Sequence, residues 1–469
     1  MTKSIITGLW QIADLERDGK TIDPRYAAHA MKKYADEGFN TFDMADHYGS
    51  AELIAGEFRK LFGKEAGTHF TKWVPKPGRL TKDLVKEAVT RALTRMQTER
   101  IDLMQFHAWN YADPAWIDAL IWLQELKEEG LIKELGLTNF DTAHLSVIVN
   151  SGIEIKSNQV CYSLLDQRAS SQMGAFCEAN GIELLAFGTL AGGFFSERWL
   201  NAKEPKINKS LTWSQMKYKR FMDTATSWDN YQALLQHLDQ IAKKHEVSIA
   251  NVASNYILNQ QGVSSVIIGA RLGRSEHIED NKRILNLKLS KKELTEIQKL
   301  ISGFKPIPGD CGDEYRKPPY LTASGDLSDH LEDFPSPYPV YHGSNGRFKA
   351  LSGTVWEDIA GFSQAVRKGN RISISGTTAT HGDQAMGGND PAAQTHFVID
   401  KIEGALQSLG ASIEDVTRTR IFIKNLDQWE AIARVHGQRF AGIQPANTMV
   451  RADLIGDEYL VEIEAEAEL

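Results

Sequence analysis

From Ile5 to Arg283, short apolar runs alternate with longer stretches whose apolar residues recur at helical spacing. The runs are IITGLW, NTFDMA, HFTKW, IDLMQFHA, IKELGLT, IKSNQV, IELLAF and SSVIIGA, and each is followed by helix-like sequence. Eight repeated βα units predict an α/β domain, a (β/α)8 TIM barrel, whose chemistry sits on the loops at the strand C-termini. Asp43, Lys72, His107, Asn139, Gln159, Phe187 and Arg271 fall at or just past the predicted strand ends. A scatter of structural polar residues has no reason to follow that rule.

Beyond the barrel the pattern changes. Seven of the 14 prolines lie between Pro306 and Pro339, in a stretch that also holds Gly309, Gly312 and Gly325. Proline fixes φ and removes a backbone donor, so this stretch is expected to be an extended connector without helical or strand periodicity. After it, RISISG (371–376) and VTRTRIFI (416–423) read as strands, and 391–410 and 425–442 as helices. The end alternates strictly, with Val461, Ile463, Ala465 and Ala467 on one face and Glu462, Glu464, Glu466 and Glu468 on the other, as a half-buried strand does. The predicted organisation is a barrel over 1–304, a Pro-rich linker over 305–345 and a smaller α+β domain over 346–469.

Composition narrows the function. A net charge of -8 gives no broad electrostatic reason to bind nucleic acid or an anionic membrane. No apolar run approaches the roughly 20 residues of a membrane span, and no signal peptide or transit segment is visible. Cys161, Cys177 and Cys311 are an odd number without CxxC spacing, and no His/Cys/Asp/Glu grouping has metal-ligand spacing. A cytoplasmic protein without a metal site is the expectation.

The strand-end residues carry a specific chemistry. A phenol of ordinary pKa, near 10, is a poor proton donor at neutral pH. A nearby ammonium favours the phenolate and makes the phenol a better acid, so Lys72 beside Tyr48 suits general acid catalysis. Asp43 can keep that ammonium charged, and His107 can hydrogen-bond a substrate oxygen. Together they suit protonation of an oxygen gaining negative charge, as when a carbonyl accepts hydride. None of them delivers hydride, so a nicotinamide or similar cofactor is required.

FDMADHYG, FTKW, MQFHAW, GLTNF and SNQVCYS, in this order, resemble the signature blocks of the aldo-keto reductase family over about the first 300 residues. The resemblance implies that Asp43, Tyr48, Lys72 and His107 are the catalytic tetrad with Tyr48 as proton donor. It implies that Thr138, Asn139 and Gln159 hold the nicotinamide carboxamide, and that Phe187 stacks on the ring where many members have Tyr. Trp10 matches an aromatic at the mouth of the substrate pocket, and Asn281 a residue used on the adenine. Arg271 and Arg274 precede an expected helix beginning near Ser275, and two guanidiniums at a helix N-terminus suit a 2′-phosphate, hence NADP(H). His29, His245 and His277 read as surface residues. The insert between Phe194 and Tyr231, with Trp199, Trp213, Tyr218, Phe221 and Trp228, reads as a pocket wall for an apolar or ring-bearing small-molecule carbonyl substrate.

From about Arg347 the chain resembles the RidA (YjgF/UK114) family, of chorismate-mutase-like fold, through RISISG, GALQSLGASIEDV, TRIFIKNLDQWE, FAGIQPANTMV and LVEIEA. Members that hydrolyse imines carry an Arg after PA; here that position is Asn447, which lacks the charge and the fork of a guanidinium. Glu462 matches the family's acidic strand residue. The family's trimeric habit implies a homo-oligomer assembled through this domain. Two other readings stay open: a bifunctional enzyme with an imine- or enamine-hydrolysing domain, and an NADPH-binding sensor or scaffold with little turnover.

Overall fold

The computed structural model describes residues 3–16, 19–76, 78–170, 172–322 and 334–469. Gly325 and the rest of 323–333 lie outside these residues. Eight parallel strands close a barrel: β1 (Ser4–Gly8), β2 (Thr41–Asp43), β3 (Thr68–Trp73), β4 (Ile101–Phe106), β5 (Ile132–Thr138), β6 (Ser157–Cys161), β7 (Glu183–Phe187) and β8 (Val263–Gly269). Every predicted apolar run overlaps one of them. Inside the barrel Ile6, Leu103, Leu185 and Ile267 pack with Phe70 and Phe187. Burying each such side chain contributes about 1.5–3 kcal/mol. Above this plug the inward positions turn polar. The register sets Gly8 beside Asp43, Lys72 beside Gln105 and Thr138 beside Gln159, so the polar side chains converge at the C-terminal mouth. Gly136 leaves the room: a Cβ there would collide with the Ser157 hydroxyl and crowd Gln105.

The second domain is a mixed sheet in the order Ala446–Arg451, Val416–Ile423, Val461–Glu468, Arg371–Thr377, Ala365–Lys368, Arg347–Ala350, Val340–His342. Its strands are β9 (Val340–His342), β10 (Arg347–Ala350), β11 (Ala365–Lys368), β12 (Arg371–Thr377), β15 (Val416–Ile423), β16 (Ala446–Arg451) and β17 (Val461–Glu468), with a separate hairpin of β13 (Thr380–His381) and β14 (Gln384–Ala385). β17 alternates buried and solvent-facing residues as its sequence does, pairing antiparallel with β12 and β15.

The helix Pro391–Ser408 is buried around most of its circumference because both sides are covered. One side lies on the sheet, and the other lies against the barrel helix Thr142–Asn150. Gly404 permits the approach, since a Cβ there would strike the Ala112 carbonyl. At the centre of this interface the ring of His144 bridges Asp141 Oδ1 (2.7 Å) and Asp400 Oδ2 (2.9 Å), and Arg439 donates to Asp400 (2.6 Å) and Glu403 (2.9 Å).

The connector departs from the expected extended spacer. Residues Asp313–Arg316 form one helical turn and β9 joins the sheet. The turn is pinned to the mouth of the barrel. Arg168 pairs with Asp166 and Glu314, while Arg316 donates to the carbonyls of Ala108 and Asn139, both at 2.8 Å. Gly312, with φ +88°, passes so close to the Asn139 carbonyl that no side chain fits between them. Proline density removed the periodicity but left charged anchors that the pattern does not display.

Candidate active site

A cavity of about 490 Å3 opens at the C-terminal mouth of the barrel. Asp43, Tyr48, Lys72 and His107 all line it, with Trp10, Thr138, Asn139, Gln159, Phe187, Arg271 and Asn281. Arg274 is exposed and lies outside the lining, because the chain from Arg271 to Ser275 folds back on itself through a bridge. The following helix spans Ile278–Asn286, starting later than Ser275 because residues 271–275 are spent on that turn. His277, expected on the surface, is exposed at the N-cap and also borders the cavity.

The centre of the site is an ion pair shielded from water. Lys72 Nζ donates to Asp43 Oδ2 at 2.6 Å and to the Met44 carbonyl at 2.7 Å, and both side chains are almost wholly buried. Burial pushes the lysine pKa down, and Asp43 opposes that shift. The other Asp43 oxygen accepts from Gln105 (3.0 Å) and Gln159 (2.8 Å), so the carboxylate is held at both ends. Gln105, which sequence reasoning missed, is thus part of the assembly; its only signal was inward alternation with His107 along β4. The Lys72 ammonium lies 5.0 Å from the Tyr48 ring centroid, and the Trp10 ring meets Tyr48 edge-on at 4.9 Å.

His107 is neutral. Burial, and after it the charge of Arg316, holds its pKa well below the ordinary value. Its Nδ1 lies 3.4 Å from the Thr138 carbonyl and 3.5 Å from Asn139 Nδ2. Its Nε2 and Asn139 Oδ1 are both buried without a hydrogen-bond partner among the described residues. Buried polar atoms are rarely left so. They fit a ligand that brings both an acceptor and an amide. The chain around Gly192, whose φ is +65°, also borders the cavity, and Arg271 and Asn281 line it as well. An extended nucleotide therefore finds polar groups along the site.

The wall is less simply aromatic than its sequence implied. Trp199 and Tyr218 line the cavity, whereas Phe221 is buried and Trp228 packs on Trp199 and Tyr231. Trp109, Lys217 and Tyr315 line it too, and sequence reasoning singled out none of them. Tyr315 comes from the connector and packs edge-on to His107 at 5.7 Å. Among the described residues no group of His, Cys, Asp and Glu could hold a metal ion, and no helix is long and apolar enough to cross a membrane.

Residues 4–302 match the profile described as the aldo/keto reductase family. The chain belongs to that family. Residues 355–469 match a second profile, described as endoribonuclease L-PSP, so the reductase barrel is joined to a RidA-like domain. The barrel is similar to the chloroplastic pyridoxal reductase of Arabidopsis thaliana, 28% identical over 57% of this chain and 74% of that protein. It is also similar to an NADH-specific methylglyoxal reductase of Escherichia coli, 25% identical over 56% of this chain and 83% of that protein. The second domain is 36% identical to the uncharacterized protein SCO2049 of Streptomyces coelicolor, over 25% of this chain and 90% of that protein.

Proposed function

We propose that the chain is a nicotinamide-dependent carbonyl reductase in which Tyr48 donates the proton. The observation that carries this reading is the buried Lys72–Asp43 pair beside the Tyr48 ring, at the edge of a cavity into which a neutral His107 presents an unsatisfied nitrogen. A bound nicotinamide supplies the hydride. Lys72 favours the phenolate that Tyr48 leaves behind, and Asp43 keeps Lys72 charged despite its burial. Nε2 of His107 is the nitrogen left for the substrate; in the tautomer whose Nδ1 accepts from Asn139 Nδ2 it carries the proton and orients the substrate oxygen beside the Tyr48 hydroxyl. The same groups serve the reverse oxidation of an alcohol or sugar.

Asn139, Thr138 and Gln159 are assigned to the carboxamide, Phe187 to stacking on the ring, Asn281 to the adenine and Trp10 to the substrate mouth. Arg271 faces the cavity and supports NADP(H) through a 2′-phosphate contact, with Arg274 within one turn of it. The test is NADPH consumption over a panel of aldehydes and ketones, beside Tyr48→Phe. Turnover that collapses in the variant while NADPH still binds supports the reading. Tight NADPH binding without turnover by either protein favours a sensor or scaffold instead.

For the RidA-like domain we favour an assembly role, as a trimer, over imine hydrolysis. Asn447 Nδ2 is already engaged with the Thr419 hydroxyl at 2.9 Å, and no guanidinium stands at that position. Glu462 is half-buried, and burial raises its pKa. Sedimentation of the full chain at three chains per particle supports assembly; enamine hydrolysis would restore the bifunctional reading. The free thiols Cys161, Cys177 and Cys311 suit a reducing, cytoplasmic setting.

A further inference from the structure

The cavity holds a second lysine–tyrosine pair. Lys217, on the helix Trp213–Ala225, is only 6% exposed, and its ammonium donates to the Tyr315 hydroxyl at 2.5 Å. It lies 4.5 Å from the Tyr315 ring centroid, 5.0 Å from that of Phe187, 5.6 Å from that of Tyr218 and 5.7 Å from that of Phe221. Aromatic faces attract a cation but do not neutralise it. The two Lys–Tyr pairs differ in one respect. Lys72 has Asp43, whereas among the described residues no carboxylate lies within 4.0 Å of Lys217. Neither Asp166 of the barrel nor Glu314 of the connector fills the role, because both pair with Arg168.

A buried charge without a counter-charge is costly. Its counter-ion can arrive with the ligand, since both Lys217 and Tyr315 line the cavity. We propose that Lys217 and Tyr315 form an anion subsite, and that the preferred substrates are carbonyl compounds bearing a carboxylate or phosphate group. The placement suits one small molecule. The Tyr315 ring meets both ends of such a molecule: its centroid lies 4.5 Å from the ammonium and 5.7 Å from the ring of His107, which orients the carbonyl, and Trp109 packs edge-on against it at 6.4 Å. The inference rests on the reductase reading and adds its substrate class.

The experiment compares matched pairs in the full chain with NADPH: 4-carboxybenzaldehyde against benzaldehyde, and glyceraldehyde 3-phosphate against glyceraldehyde. The expected result is a charged-over-neutral ratio of kcat/KM of at least about tenfold in one pair, the low end for close charge pairs out of water. The pair that shows it identifies carboxylate or phosphate as the anion. Lys217→Met is expected to bring the ratio near one through KM, and Lys217→Arg to restore most of it. A wild-type ratio near one in both pairs overturns the proposal, as does a preference that survives Lys217→Met. Weaker NADPH binding in Lys217→Met with an unchanged ratio also overturns it, by placing the ammonium on the cofactor. If Lys217→Met does not fold, Lys217→Arg and Tyr315→Phe are read instead, and a ratio unchanged in both counts against the subsite. If no aldehyde is reduced, the reductase reading falls, and calorimetry with 4-hydroxymethylbenzoate against benzyl alcohol decides the subsite alone. Lys217-dependent binding of the acid sustains it, and equal binding of the two sinks it.

Discussion

His144 offers a test of how firmly the two domains are joined. Its ring is wholly enclosed between Asp141 on the barrel and Asp400 on the second domain, and stacks on Tyr111 at 3.4 Å. Burial alone would depress its pKa, but the two carboxylates overcome that and raise it from 6.5 to about 9. A group whose folded pKa lies above its unfolded value stabilises fully below the unfolded value, here 6.5, and loses that contribution as pH rises through about 9. At 1.36 kcal/mol per unit the contribution is about 3 kcal/mol, which corresponds to roughly 100-fold in a local opening constant. Burial opposes ionisation of Asp400 and Asp141 too, yet Arg439 and His144 hold the first below the usual carboxylate value, and His144 holds the second there, so their share is lost only as pH falls below 3.8. The interface should therefore be tightest between roughly pH 4 and 6.5. Native-state hydrogen exchange on helices Thr142–Asn150 and Pro391–Ser408, corrected for intrinsic rates, reads that opening directly. Between pH 6 and 9.5 protection should fall roughly 100-fold in the native chain. His144→Gln should begin less protected at pH 6 and change little. Equal protection at the two pH values, or an equal fall in His144→Gln, would refute the assignment.

Three further outcomes follow from the same geometry. Lys72→Met should lower kcat by about 10²- to 10⁴-fold, the range for losing general acid assistance, while leaving NADPH binding measurable by fluorescence titration. Gly312→Ala must push a Cβ into the Asn139 carbonyl from a left-handed backbone; loss of about 1–3 kcal/mol of stability and weaker NADPH binding are expected in thermal and binding assays. Arg271→Ala should weaken NADPH binding about 10-fold or more while changing NADH binding little, and equal losses for both would remove the 2′-phosphate contact from the proposal.

The strand pattern was legible in the apolar runs that build the barrel; those runs fix the strand ends at or beside which Asp43, Lys72 and His107 fall, with Tyr48 on the loop after β2. Gln105 was hidden by its place inside an apolar run, where only the closed barrel shows that it meets Asp43 and Gln159. Lys217 lies on a helix, Trp213–Ala225, where lysines and arginine alternate with aromatics, and the pattern does not say which of those charges faces inward. Tyr315 lies in a proline-rich stretch that carries no periodicity, and its approach to His107 depends on the remote pairing of Arg168 with Glu314. The helix starts at Ile278 and not near Ser275 for a local reason. SEH at 275–277 has the composition of an N-terminus, but Ser275 is taken up in the bridge to Arg271, and His277 caps without a side-chain hydrogen bond.

A barrel with a passenger domain would meet it through exposed polar contacts, which bind weakly and tolerate many orientations. Here the centre of the contact is a buried cluster of His144, Asp141, Asp400 and Arg439. Desolvating such groups is compensated only when all of them meet in one geometry, so the cluster selects that geometry even where it adds little net stability. Asp141 follows Asn139 by two residues and caps the helix that carries His144. Arg316 holds the Asn139 carbonyl from the connector side. The loop that presents Asn139 to the cavity is thus fixed from two directions by parts of the chain outside the barrel. The second domain and its connector therefore complete the wall and the footing of the candidate active site, whatever chemistry the RidA-like fold itself retains.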